Sequence, residues 1–211
     1  MTVNVAIPIF DRITALDAVG PYEVLSRLPD ARVHFLATEP GPKRTDTGML
    51  ALLADGSLTE LPEPEVILVP GGPGTRALME DETILAWLRH AHEGSVWTTS
   101  VCTGALLLGA AGILEGLEAT THWAALDRLS GLGATPVSER VVEQGKVITA
   151  AGVSAGIDMA LTLAARIAGE QIARAIQLEI EYDPRPPFDS GSVQSAGEEI
   201  VALVRRGSGS A

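Results

Sequence analysis

Cysteine is almost missing from this chain of 211 residues: Cys102 is the only one. No internal disulfide can form, and whatever chemistry the residue performs it performs as a free thiol. Basic residues are also scarce. The 15 Lys and Arg stand against 27 Asp and Glu, a formal net charge of −12 and a sequence pI near 4.7. Such a charge repels phosphate backbones and anionic lipid, so neither nucleic acid nor a membrane is expected as a partner and a small molecule is. No window reaches the roughly eighteen apolar residues of a spanning helix. Met1-Thr2-Val3-Asn4 opens with neither a basic stretch nor the apolar run of a cleavable leader. The expectation is a cytoplasmic protein, a setting that suits a free thiol. Also missing are an internal repeat, a dinucleotide-binding turn and a metal site. Pro70-Gly71-Gly72-Pro73-Gly74 lacks the three-glycine spacing of that turn, and no His, Cys and carboxylate cluster has the spacing of metal ligands. No cofactor is expected.

What the chain does have is 46% hydrophobic residues in 22.0 kDa, ample for the core of one open α/β domain. Val3 to Phe10 is a continuous apolar run without helical spacing, the pattern of a strand buried on both faces. Ala15 to Leu28 reads as a helix interrupted near its start by Gly20-Pro21. Further strands are expected at Ala31 to Thr38, Val66 to Val69 and Val96 to Val101, with a short β excursion over Thr47 to Leu53 before the Asp55-Gly56 turn. Helical spacing covers Glu82 to His92, Thr103 to Ala111, Trp123 to Leu129, Ser154 to Ala168 and Glu170 to Ile180. Val137 to Glu143 and Val147 to Ala150 read as paired strands joined at Gln144-Gly145. Strands alternating with helices imply a mostly parallel sheet wrapped on both faces. The expected organisation is one α/β domain over residues 1–191, a C-terminal helix or extension over 192–206 and a disordered tail over 207–211. Pro184 to Phe188 cannot be helical.

In such a fold ligands sit beyond the carboxyl ends of the strands, so the residues that end strands are the candidates. Cys102 lies where the Val96 to Val101 strand gives way to a small-residue helix, flanked at two residues' distance by Ser100 and Gly104. That is the shape of a nucleophile elbow: the sharp turn strains the backbone and demands small neighbours. At a helix N-terminus the thiolate is favoured. Gly71-Gly72 ends another strand, where paired glycines allow close approach and aim peptide N–H groups into a site, or merely make a turn. Asp17 stands between apolar neighbours after the first strand. A buried carboxylate there is costly unless it caps the helix or works in a site. His122 is either a proton carrier for Cys102 or a core histidine bonded to backbone, whereas His34, His90 and His92 look like surface residues. The small residues Ala150 to Gly156 let the chain pass close to the elbow.

With these residues in view the chain resembles the DJ-1/PfpI superfamily, and within it the members that hydrate isocyanides. The resemblance runs from Val3 to about Gly191. It rests on Leu16-Asp17, Gly20-Pro21, Glu23-Val24-Leu25, Pro70-Gly71-Gly72, Thr99-Ser100-Val101-Cys102-Thr103-Gly104, Ala119-Thr120-Thr121-His122-Trp123, Gly156-Ile157-Asp158-Met159-Ala160-Leu161 and Pro186-Pro187-Phe188. It implies a flavodoxin-like three-layer sandwich, a homodimer, Cys102 as nucleophile and Asp17 as the acid bonded to it. Aspartate rather than glutamate at the acid position favours the hydratase branch. Thr103, where the proteases of the superfamily carry histidine, argues against proteolysis.

The implied reaction is hydration of an isocyanide to an N-substituted formamide through a thioimidate on Cys102, with Asp17 as general acid and the pair sharing a proton. The N–H groups of Gly72 and Thr103 are expected to form an oxyanion hole, with Gly71 beside them, and the Thr103 hydroxyl to reach the acid–thiol pair. Two alternatives stay open. A glyoxalase- or deglycase-like enzyme would need His122. A ligand or redox sensor would keep the pocket without turnover, although the stretch after Tyr182 is too short and too weakly basic for the helix-turn-helix domain that regulators of this superfamily add.

Overall fold

The computed structural model describes residues 2–208, and the chain divides into two compact units, Met1–Ile180 and Glu181–Ala211. In the first unit the apolar runs become the inner strands of a sheet. The chain lays down β1 (Val3–Pro8), α1 (Ala15–Leu25), β2 (Ala31–Ala37), a hairpin of β3 (Gly41–Arg44) and β4 (Ala51–Ala54), and β5 (Gly56–Ser57). It continues with β6 (Val66–Val69), α2 (Thr75–Leu78), α3 (Glu82–Gly94), β7 (Trp97–Val101) and α4 (Gly104–Ala110). After α4 come β8 (Glu118–Ala119), a 3-10 segment (Trp123–Leu132), β9 (Thr135–Pro136), β10 (Val141–Gln144), β11 (Val147–Ala150), α5 (Ala155–Ala168) and α6 (Glu170–Glu179).

Seven strands form one sheet in the order β10-β11-β7-β6-β1-β2-β5, parallel except for the edge pair β10 and β11. The expected mostly parallel α/β sandwich is the observed one. β1 and β6 lie at its centre, and Val5, Ala6, Ile7, Ile67, Leu68 and Val69 are fully buried, because helices cover both faces and leave no side for a polar alternation. Helices α1, α5 and α6 pack on one another, and α3, α4 and the 3-10 segment form a second group. Helix α3 shows why the sequence chooses helix there. Asp81 accepts the Thr83 N–H at 2.9 Å to cap its start, while Ile84, Leu85, Leu88 and Ala91 form its buried face.

Several boundaries move. Helix α1 runs unbroken through Gly20-Pro21 and ends at Leu25. Pro21 forfeits the hydrogen bond to the Asp17 carbonyl, but its ring is packed against α5, where a Cβ on Gly156 would lie 3.1 Å from Pro21 Cγ. The β excursion starts earlier than expected: β3 pairs antiparallel with β4, and Thr45 to Leu50 is the turn between them, closed by Thr45 N–H to Leu50 O at 3.0 Å. Val137 to Arg140 are not strand. The chain there has left the main sheet, because β9 pairs with β8 and the Val137 N–H bonds Ala119 O at 2.9 Å.

In the second unit Pro184 to Phe188 is non-helical, as expected, and helix α7 (Val193–Ser208) is broken at Gly197, whose φ is 76°. Gly207 and Ser208 end this helix, whereas residues 209–211 of the expected tail lie outside the described residues. Among the described residues no helix is long and apolar enough to cross a membrane.

The tightest approach in the sheet is at Gly104, where an added Cβ would lie 2.0 Å from the Val69 carbonyl oxygen. Neither a strand nor the start of α4 can yield, so Gly104→Ala is expected to destabilise by about 3 kcal/mol or more. Gly131→Ala, which meets nothing within 4 Å, is expected to change little. Urea unfolding of both variants measures the difference.

Candidate active site

The elbow forms where the sequence places it. Cys102 joins β7 to α4 with φ of 55°, a left-handed conformation rare for a residue other than glycine. Its neighbours hold it there: the Cys102 N–H points to Ala150 O at 3.1 Å and Ala151 O at 2.9 Å, and the Thr121 hydroxyl donates to Cys102 O at 2.6 Å. The side chain is 5% exposed. Thr121 was not among the expected site residues. It stands in the Ala119-Thr120-Thr121-His122-Trp123 stretch, but its own role has no sequence signal, since the partner is a backbone carbonyl 19 positions away.

Asp17, in the first turns of α1, is fully buried and caps nothing. The Gly71 N–H donates to its Oδ2 at 2.9 Å, while its Oδ1 accepts no hydrogen bond of regular geometry from the described residues. The group that faces the carboxyl is the Cys102 thiol, which interacts with it directly. Gly71 must be glycine: a Cβ there would lie 2.5 Å from the Thr103 nitrogen and 2.9 Å from Asp17 Oδ2. Acid, thiol and the turn after β6 are therefore packed into one contact.

Burial dominates the electrostatics. It raises the Asp17 carboxyl from 3.8 to about 7, against the lowering effect of the Gly71 N–H and the thiol, with the Asp46 charge adding to the rise. Burial likewise pushes the Cys102 thiol up to about 12, and the Asp17 charge adds to it. The expectation that the helix N-terminus makes a readily ionised thiolate is thus corrected, because desolvation of a nearly buried sulfur outweighs the local N–H groups. The two groups are coupled: below about pH 7 both are protonated, and above it the pair keeps a single proton.

Two backbone N–H groups oppose that rise at the sulfur, those of Thr103 and Val153. Val153 has φ of 24°, a strained value for a β-branched residue. Its strained peptide carries one of the two N–H groups that face the sulfur. Val153 lies in the small-residue stretch already singled out, but its role was not legible. Gly72 departs from expectation: its N–H is bonded to Thr103 Oγ1 at 2.9 Å, so it is not a free oxyanion donor. The Thr103 hydroxyl lies within bonding distance of Gly72 O, at 3.2 Å, and accepts from the Thr75 hydroxyl at 3.2 Å. It clips the two turns together, and no hydrogen bond to the acid–thiol pair is among its contacts.

His122 caps the 3-10 segment, its Nδ1 accepting the Ala124 N–H at 3.3 Å, and burial lowers its pKa. Among the described residues no hydrogen bond joins it to Cys102 or Asp17, although its ring lies against Gly152, next to Val153. His34 and His92, expected at the surface, are half-buried, and His92 Nδ1 lies 2.8 Å from Thr98 Oγ1. No group of three or more His, Cys, Asp or Glu among the described residues is placed to hold a metal ion.

The chain as a whole is similar to known proteins. The sequence profile of the DJ-1/PfpI family matches residues 3–166. The chain belongs to the DJ-1/PfpI family. It is 45% identical over 206 residues to an isonitrile hydratase of Pseudomonas putida, covering 98% of this chain and 90% of that protein. It is also 32% identical over 172 residues to the HTH-type transcriptional regulator CdhR of Pseudomonas aeruginosa, covering 79% of this chain but only 50% of the regulator. The crystal structure of a ThiJ/PfpI family protein from Pseudomonas syringae superposes with a TM-score of 0.94 at 35% identity, covering 98% of this chain and 86% of that one. Drosophila melanogaster DJ-1beta shares the fold, with a TM-score of 0.79 at 20% identity over 86% of this chain and 98% of its own.

The raised Asp17 carboxyl has a consequence for stability. Between pH 3.8 and about 7 the folded protein holds a proton that the unfolded chain has released, so stability from this group is present at low pH and falls as pH rises through that window. The loss is on the order of 4 kcal/mol at most. Urea unfolding between pH 4 and 8 is expected to show the protein losing stability relative to Asp17→Asn. The same substitution removes a charge that holds the thiol up, so iodoacetamide should alkylate Cys102 faster at pH 8. A stability difference independent of pH would contradict the assignment.

Proposed function

We propose that the protein is an isocyanide hydratase that converts isocyanides to N-substituted formamides, with Cys102 as nucleophile and Asp17 as proton carrier. The observation that carries the reading is the buried Asp17–Cys102 contact, in which a carboxyl raised to about 7 faces the thiol. An isocyanide's terminal carbon must accept both a nucleophile and a proton, and a shared-proton pair supplies both from one place. The isonitrile hydratase relative supports the same substrate class.

In the reacting arrangement the proton sits on Asp17 and the sulfur is a thiolate whose charge faces the Thr103 and Val153 N–H groups. Sulfur bonds to the terminal carbon and Asp17 gives its proton to that carbon, leaving a thioimidate and a carboxylate. Water adds to the carbon of the C=N bond, its proton relayed by Asp17 to nitrogen. Loss of the remaining hydroxyl proton to Asp17 expels the sulfur, releases the formamide and restores the pair. Near-complete burial keeps bulk water from levelling the pair. The enzyme is read as cytoplasmic, and as a homodimer whose interface lies near the active sites. Leu16, 41% exposed beside Asp17, belongs to such a face.

Assays with p-nitrophenyl isocyanide and with methylglyoxal separate this reading from a glyoxalase-like one. Formamide is the expected product. Cys102→Ala should abolish turnover and Asp17→Asn should slow it by roughly 100-fold or more, whereas His122→Ala should cost less than about tenfold. Turnover of methylglyoxal alone, lost in His122→Ala, would overturn the reading, and binding of an isocyanide without formamide release would favour a sensor. Sedimentation should give a species of twice 22.0 kDa.

A further inference from the structure

A crevice opens at the carboxyl edge of the sheet, lined by none of the residues around Cys102 except Pro73 and Gly74 beside their turn. It measures about 460 Å³ and is built by the segments that leave β1, β2 and β6, with Lys43 of β3 at its side. In strand order it lies over β6-β1-β2, where the chain reverses its direction of winding, the place where open α/β sheets hold small molecules. Cys102, at the end of β7, does not line it. Its floor is apolar: Ile9 and Phe10 are buried there, and Leu78 is half-buried.

Its charge is anomalous. In a chain with net charge −12, Arg12, Lys43 and Arg76 all line this one crevice. None of the three forms an ion pair among the described residues; Arg32, Arg44 and Arg128 share that state, but the crevice gathers three such cations in one place. The single carboxylate in the lining, Asp11, already accepts the Arg44 N–H at 2.8 Å. Arg12 is also strained. Its φ is 63°, held by Arg12 N–H to Arg44 O at 2.6 Å and Gly74 N–H to Arg12 O at 3.2 Å. A non-glycine residue kept in the left-handed region by its surroundings is a mark of functional positions.

We infer that this crevice binds a small organic anion, a carboxylate or phosphate ester on a compact apolar body, with Arg12, Lys43 and Arg76 taking the charge. Unpaired cations in a net acidic molecule concentrate an anion locally, and an apolar floor of this size takes a ring or short chain rather than a bare inorganic ion. The site is next to the catalytic turn without being part of it: the lining residues Pro73 and Gly74 directly follow Gly71 and Gly72, which hold Asp17 and Thr103.

Titration calorimetry on the full-length Cys102→Ala protein tests the site without interference from the thiol. Benzoate and phenyl phosphate are the two anionic probes and benzyl alcohol the neutral control. One or both anions should bind saturably at one per chain, and benzyl alcohol should not; which anion binds tells carboxylate from phosphate. Lys43→Gln with Arg76→Gln should weaken that binding at least about tenfold. Asp11→Asn, which keeps an acceptor for Arg44 but removes the only negative charge in the lining, should tighten it. No saturable binding of either anion, equal binding of benzyl alcohol, or affinity unmoved by the double substitution would overturn the inference.

Discussion

The left-handed turn at Cys102 is the constraint around which the rest of the site is arranged. A residue with a Cβ at φ of 55° is strained, and it stays there because the Ala150 and Ala151 carbonyls, the Thr121 hydroxyl and the close passage of β6 over Gly104 leave it nowhere else to go. Those contacts come from three separate stretches of chain. The conformational cost at one residue is therefore spread over the core of the sheet, and the sulfur is presented at its carboxyl edge in a fixed direction.

Once the sulfur is fixed, the surrounding groups can be placed to the precision that proton transfer needs. Asp17 reaches the thiol from α1 and is held from behind by the Gly71 N–H. Close packing raises both groups, so above about pH 7 the pair keeps a single proton. The same packing spends the Gly72 N–H on Thr103, which leaves the Thr103 and Val153 N–H groups to face the sulfur. A site that looked from its motifs like an oxyanion hole beside a favoured thiolate is in structure a buried acid–thiol pair.

The relatives fit this division between scaffold and site. An isonitrile hydratase matches nearly the whole chain, whereas a transcriptional regulator matches it over only half of its own length. One α/β scaffold recurs in both, so the fold by itself does not fix the function.

Much of this was legible in the amino-acid sequence. The continuous apolar runs at Val3 to Phe10 and Val66 to Val69 can be buried only on both faces, which dictates a parallel sheet under helices. The small residues around Cys102 suit a tight turn, and Asp17 among apolar neighbours announces a buried carboxyl that needs a partner. Chain reading failed where the partner lies far along the sequence. That the Gly72 N–H goes to Thr103, that Thr121 holds the Cys102 carbonyl, and that Val153 is strained toward the sulfur are facts of three-dimensional proximity with no periodicity to betray them. The protonation state belongs to the same class. A helix N-terminus is visible in sequence and favours thiolate, but the desolvation that overrides it depends on how completely α1, β6 and β7 close over the sulfur, and only the packed tertiary structure decides that.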